Sequence, residues 1–114
     1  MNPIRKKRIE KELLKIISNT VEFKLRDKHL SLLSITAVTI SSDIAYAKVY
    51  FNSLSKTNNK KLKEILTKSS GFIKKEIAKA KFLRTIPELT FIYDETENNV
   101  RKLDEIFEKI HREK

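Results

Sequence analysis

Cysteine is absent from these 114 residues, glycine occurs once and proline only twice. Without cysteine there is no disulfide framework and no thiolate metal site. A single glycine, Gly71, leaves no glycine-rich loop to cradle a phosphate. The two histidines are distant in sequence and show no metal-ligand spacing, so no metal is expected, and His29 reads as a surface residue. No apolar run approaches the roughly 20 residues needed to cross a bilayer. The basic N-terminus is followed by no apolar segment of the kind that marks a secretory signal. Ser42, Asp43 and His29 have the residue types of a hydrolytic triad but no supporting arrangement, and a triad is defined by geometry. These absences argue against an enzyme, a cofactor, a small-molecule substrate and a membrane protein. They favour an intracellular, cytoplasmic binding protein.

The charge shows what such a protein binds. Twenty-five Lys and Arg face fifteen Asp and Glu, a net charge of +10. From Lys56 to Arg84 there are ten Lys/Arg and two Glu, so most of the excess lies in one stretch. Clustered lysine of this kind favours a polyanion, nucleic acid above all. The stretch carries two helical patterns that meet at Ser69-Ser70-Gly71. Leu62, Ile65, Leu66 and Ser69 recur at helical spacing before the joint; Ile73, Ile77, Ala78 and Phe82 do so after it. Glycine reaches left-handed backbone angles at little cost, so Gly71 is expected to make the turn, where a side chain would be penalised. Candidate RNA contacts on this pair are Lys60, Lys61, Lys68, Lys74, Lys75, Lys79, Lys81 and Arg84.

The rest of the chain supplies a frame. Pro3 to about Leu25 predicts an amphipathic helix with Ile9, Leu13, Ile16, Ile17, Thr20 and Val21 on one stripe. Arg5, Lys6, Lys7 and Arg8 crowd its start, where the helix dipole disfavours positive charge, and two readings stand side by side: an RNA-binding role, with Arg5, Lys6 and Arg8 as the candidates, or a solvated basic tail. Leu32–Ile40 and Ile44–Ser53 predict two strands joined as a hairpin through Ser41-Ser42-Asp43. The first alternates imperfectly, which a bulge near Thr36-Ala37 would reconcile. In the second, Ala45, Ala47, Val49 and Phe51 face in; Tyr46, Lys48 and Tyr50 face out, with the tyrosines available for cross-strand packing or base stacking. Pro87 ends the helical run, and Leu89, Phe91 and Tyr93 alternate as a third strand, parallel or antiparallel to its neighbour. Val100, Leu103, Ile106, Phe107 and Ile110 predict a last helix over about 97–112, mildly acidic in its setting. Ile17, Val38, Val49, Ile65, Ile77 and Phe91 are the expected core. The reading is one α+β domain, residues 1–114, with a three-stranded sheet packed against helices.

Two segments carry a family resemblance. Asp43-Ile44-Ala45-Tyr46-Ala47-Lys48-Val49-Tyr50-Phe51 resembles the Asp-Leu-x-x-Ala-Lys-Val-Tyr-Val segment of ribosome-binding factor A. Leu83-Arg84-Thr85-Ile86-Pro87-Glu88-Leu89-Thr90-Phe91-Ile92-Tyr93-Asp94 resembles that family's Leu-Arg-x-x-Pro-x-Leu-x-Phe-x-x-Asp. Arg5 to Ile17 looks like its opening helix, and the likeness runs from about Arg5 to Ile110. It implies a type II KH-like fold in the order α-β-β-α-kink-α-β-α, with an Ala-x-Gly kink in place of a Gly-x-x-Gly loop. Ser69-Ser70-Gly71 matches that kink except that Ser69 stands for alanine. It further implies a bacterial, monomeric factor that binds the free 30S subunit and its 16S rRNA and assists late maturation and rRNA processing without catalysis. A free-standing KH-like binder of single-stranded RNA is weakened by the missing Gly-x-x-Gly. A helix-turn-helix DNA reader fits poorly with the flanking strands. An RNA-processing enzyme lacks its acid–base groups.

Overall fold

The computed structural model describes residues 2–95. The helix placed at about 97–112 lies outside the described residues. Helix α1 spans Pro3–Asn19. Its start is set by Asn2, whose side-chain oxygen accepts from the Ile4 amide at 2.8 Å, while Pro3 has no amide to leave unpaired. Ile9, Leu13 and Ile17 are buried along one stripe. Near the end of α1 the buried Thr20 turns its hydroxyl back onto the Ile16 carbonyl at 2.8 Å. The helix then widens into a π turn, Thr20–Lys24, closed by the Leu25 amide on the Thr20 carbonyl at 3.0 Å. A short 3₁₀ turn, Lys28–Leu30, follows, capped by Asp27. His29 is half-buried there, not a free surface residue, with its ring 3.4 Å from the Thr57 hydroxyl.

Strand β1 (Leu33–Ile40) pairs antiparallel with β2 (Tyr46–Ser53). The register shifts between Ile35 and Ala37, so the bulge expected near Thr36 is present. It lets Ile35, Val38 and Ile40 pair with Phe51, Val49 and Ala47 on the inner face. The displaced Thr36 hydroxyl donates to the Asp94 carboxylate at 2.7 Å, linking β1 to the residue after β3. Strand β3 (Glu88–Tyr93) runs parallel to β2, which is therefore central. The edge strand β1 is partly covered by α1: the Glu10 carboxylate accepts from the Ile40 amide at 2.9 Å.

Parallel neighbours need a crossover. Here it is α2 (Asn59–Lys68) followed by α3 (Ser70–Lys79). Asn58 caps α2, accepting from the Lys61 amide at 3.1 Å. Leu62 and Leu66 from α2, and Ile73 and Ile77 from α3, close over Val49, Phe51 and Phe91. Of the expected core, Ile17, Val38, Val49, Ile77 and Phe91 are buried. Ile65 is only half-buried, because Leu62 and Leu66 take the inward phase of α2; Ala78 is exposed for the corresponding reason on α3.

The joint corrects the expectation for Gly71. Its φ is not positive; it lies in the first turn of α3, exposed, with nothing within 4 Å of where a Cβ would stand. The break is at Ser69, at φ −86° and ψ −1°, a bridge-region conformation whose negative φ requires no glycine. The Ser69 hydroxyl donates to the Ile65 carbonyl at 3.0 Å and that of Ser70 to Leu66 at 3.5 Å. Serine back-bonding of this kind bends helices. The left-handed positions lie elsewhere, at Ile44 (φ 61°) and Lys81 (φ 56°). Gly71→Ala should therefore stabilise the fold, by about 0.4–1 kcal/mol, through a less flexible unfolded chain. A denaturant titration showing a loss of stability would restore a left-handed requirement at this position.

Candidate nucleic-acid interface

Helix α2 packs on β3, and α3 packs on α1 and its π turn. The inward phase of each helix dictates what faces out. On α2 the exposed residues include Lys60, Lys61, Lys63 and Lys68; on α3 they include Phe72, Lys75 and Lys79. No acidic residue occupies the first turn of α1, α2 or α3, so the positive ends of these helix dipoles are uncompensated within their own turns. Such a surface is stabilised by an anion arriving from outside.

The lysines are not equivalent. Lys74 is 28% exposed and pairs with Glu88 at 2.7 Å, fastening α3 to the start of β3. Lys79 reaches Glu76 at 2.9 Å yet remains largely exposed. Lys75 and Lys68 are exposed with no ion pair among the described residues. Lys81 stands at the left-handed residue that ends α3, and Arg84 in the loop before β3. Lys6 is half-buried, while Arg5 and Arg8 are exposed at the start of α1. Arg5, Arg8 and Arg84 gather around Phe82, away from the start of α2 where Lys60 and Lys61 lie. Ser69, Ser70 and Gly71 form the joint between the two lysine-bearing helices.

Two features had no place in the residue pattern read from sequence. Phe72 is 43% exposed among the lysines of α3. Its helical phase, one residue before the buried Ile73, was the available signal, and an exposed aromatic between cations suits stacking on a base. The other is Glu76, buried on the inward face of α3 between Lys24 and Lys79. Lys24 comes from the π turn, 52 residues away in sequence, which no local pattern announces. Of the tyrosines on the sheet's far face, Tyr46 is exposed and Tyr50 half-buried. Among the described residues no helix is long and apolar enough to cross a membrane.

The family model for ribosome-binding factor A matches residues 5–107. The chain belongs to the ribosome-binding factor A family. The ribosome-binding factor A of Staphylococcus epidermidis is 36% identical, covering 98% of this chain and 97% of its own length. That of Coxiella burnetii is 31% identical over 92% of this chain and 88% of its own. A solution structure of a putative ribosome binding factor A from Thermotoga maritima is 34% identical, covers 81% of this chain and 90% of its own, and superposes with a TM-score of 0.70. The crystal structure of ribosome-binding factor A from Thermus thermophilus, at 23% identity, covers 77% of this chain and 94% of its own with a TM-score of 0.71, and shares the fold. Over the described residues the α+β arrangement expected for this family, a three-stranded mixed sheet packed against three helices, is the one observed.

Glu76 links the interface to the frame. Hydrogen bonds from Lys24 first, then Lys79, outweigh burial and hold its carboxyl below its ordinary value of 4.5. A depressed carboxylate stabilises the fold above that ordinary value, and the contribution is lost as pH falls through the lower folded value. Stability should thus drop below about pH 4.5 partly through this group. In Glu76→Gln that part of the acid dependence should vanish, shown by a smaller difference between denaturant midpoints at neutral and strongly acidic pH. An unchanged difference would mean that the clamp adds nothing to folding.

Proposed function

We propose that this protein binds the free 30S ribosomal subunit through 16S rRNA and assists late maturation of the subunit and processing of that rRNA. The observation that carries the reading is the outward side of the α2–α3 crossover, where the exposed Phe72 lies between the exposed Lys68 and Lys75 in sequence, in a chain of this family. Lysine ammonium groups are point charges suited to phosphate, and an aromatic plane accepts any base. A homology model of the Thermus thermophilus ribosome binding factor A, 22% identical to this chain with a TM-score of 0.65, has been fitted into a cryo-EM map of a 30S complex, which is in keeping with this partner. In this reading the protein acts by binding, not catalysis, as a single 1–114 domain and a monomer in the bacterial cytoplasm, with no cofactor or metal. A free-standing binder of single-stranded RNA is disfavoured by a joint built from Ser69-Ser70-Gly71 in place of Gly-x-x-Gly.

Sedimentation through a sucrose gradient decides between these readings. The protein should travel with free small subunits and not with mature 70S particles, and its binding should fall steeply with salt as counterions are released. Lys75→Gln should reduce the slope of log affinity against log salt by about one, the signature of a lost phosphate contact. Comigration with 70S particles, or binding flat in salt, would overturn the proposal.

A further inference from the structure

The second cluster of charge lies off the crossover, and its composition sets it apart. The chain has nineteen lysines and six arginines, and four of those arginines, Arg5, Arg8, Arg26 and Arg84, fall within the described residues. Three of the four line one groove. The groove has two hollows, of about 320 and 290 Å³. The first is lined by Arg5, Arg8, Glu12 and Phe82, the second by Arg5, Asp43, Ile44, Phe82 and Arg84 among others. Arg5 and Phe82 are common to both, so they form the divide between them.

The backbone is bent to build this divide. Lys81, in the left-handed conformation, stops α3 and turns the chain so that Phe82 packs half-buried against the core beside α1. Ile44, the other left-handed residue, lines the second hollow. A β-branched residue in that conformation is a strained one. Its turn is held by Asp43, whose carboxylate accepts from the Ser41 hydroxyl at 2.7 Å and the Ala45 amide at 3.1 Å. Those two bonds, the Ser41 hydroxyl first, keep Asp43 ionised at lower pH than an ordinary aspartate. Both non-glycine left-handed residues among the described residues thus adjoin one groove.

We propose that this groove is a site for two consecutive unpaired nucleotides of RNA, with Phe82 between their bases and the shared phosphate on Arg5. It rests on the reading of the protein as an RNA binder and adds a site distinct from the lysine face of the crossover. Guanidinium forks take phosphate oxygens in pairs, which a lysine cannot do, so Arg8 and Arg84 hold the phosphates on either side. Each hollow also carries one carboxylate, Glu12 or Asp43. A carboxylate repels phosphate and accepts hydrogen bonds, so it pairs with a base amino group or a ribose 2′-hydroxyl. Donors for phosphate, a plane for bases and acceptors for edges are the complement of a splayed single strand. A duplex keeps its bases stacked on one another and leaves Phe82 without a role.

The test is fluorescence anisotropy with a short labelled single-stranded RNA of mixed sequence, and a hairpin of the same composition as the paired control. Phe82→Leu should weaken single-strand binding about 5- to 150-fold, the loss of at least one of the two stacked bases, and leave the salt slope unchanged. Arg5→Gln and Arg84→Gln should each lower the slope by about one. Hairpin binding should be weaker and indifferent to Phe82→Leu. Arg5 is exposed, so Arg5→Gln carries the decision if Phe82→Leu melts early. Wild-type affinity in both Phe82→Leu and Arg5→Gln would overturn the site. So would variants that lose small subunits while keeping the single strand, since the occupant would then be a protein. The outcome is separable from the broader function: if the wild-type chain sediments with small subunits and the groove variants match it on RNA, the site fails and the function stands. If the wild-type chain ignores small subunits, the function fails, and the RNA titration still decides the site.

Discussion

The parallel pairing of β3 with β2 is the constraint on which the rest depends. It obliges the chain between Ser53 and Glu88 to return across one face of the sheet. That return is helical because helices satisfy their own backbone while presenting one apolar stripe to the sheet. A straight helix over Asn59–Lys79 would run about 30 Å at 1.5 Å per residue, longer than the eight-residue central strand it has to cover. The break at Ser69 divides it, so that α2 lies on β3 and α3 on α1. Once Leu62, Leu66, Ile73 and Ile77 point inward, the outward positions are committed as well. The basic surface is therefore a consequence of the crossover and the phase of its two helices.

That surface is not stabilising in itself. Positive side chains crowd the starts of α1 and α2, which carry no acid in their first turn. The frame offsets this in specific places. Glu76 is buried where it can take Lys24 and Lys79 together, and Lys74 is drawn onto Glu88. The π turn is what carries Lys24 toward α3, because the extra residue in its ring redirects the end of α1. Lysines outside these pairs, Lys68 and Lys75 among them, stay exposed with no ion pair among the described residues. The arginines take the remaining corner, where the loop after α3 meets the first turns of α1.

Much of the frame was legible because its signals are local. The stripe of α1, the bulge at Thr36, the hairpin turn at Ser41-Ser42-Asp43 and the strand after Pro87 each follow from spacing or turn chemistry. The direction of β3 was not legible, since strand polarity is a property of the whole topology. The joint was found at the right residues, but its mechanism was assigned to the only glycine. Ser69 makes the break with allowed angles and a back-bonded hydroxyl, while left-handed geometry is imposed on Ile44 and Lys81 by their surroundings. In the candidate site, the lysine-rich helices were evident from charge alone. The separation of Lys74 and Lys79 from Lys68 and Lys75, the exposure of Phe72 and the convergence of three arginines on Phe82 all depend on contacts between distant segments.

The central claim is that the outward side of the crossover is the face applied to the small subunit. Lysine methylation followed by mass spectrometry, with and without purified small subunits, tests it directly. Lys68, Lys75 and Lys79 should lose reactivity in the complex, while the exposed Lys48 on the far face of β2 keeps it. Protection of Lys48 with Lys68 and Lys75 unchanged would place the subunit on the opposite side of the sheet and contradict the account.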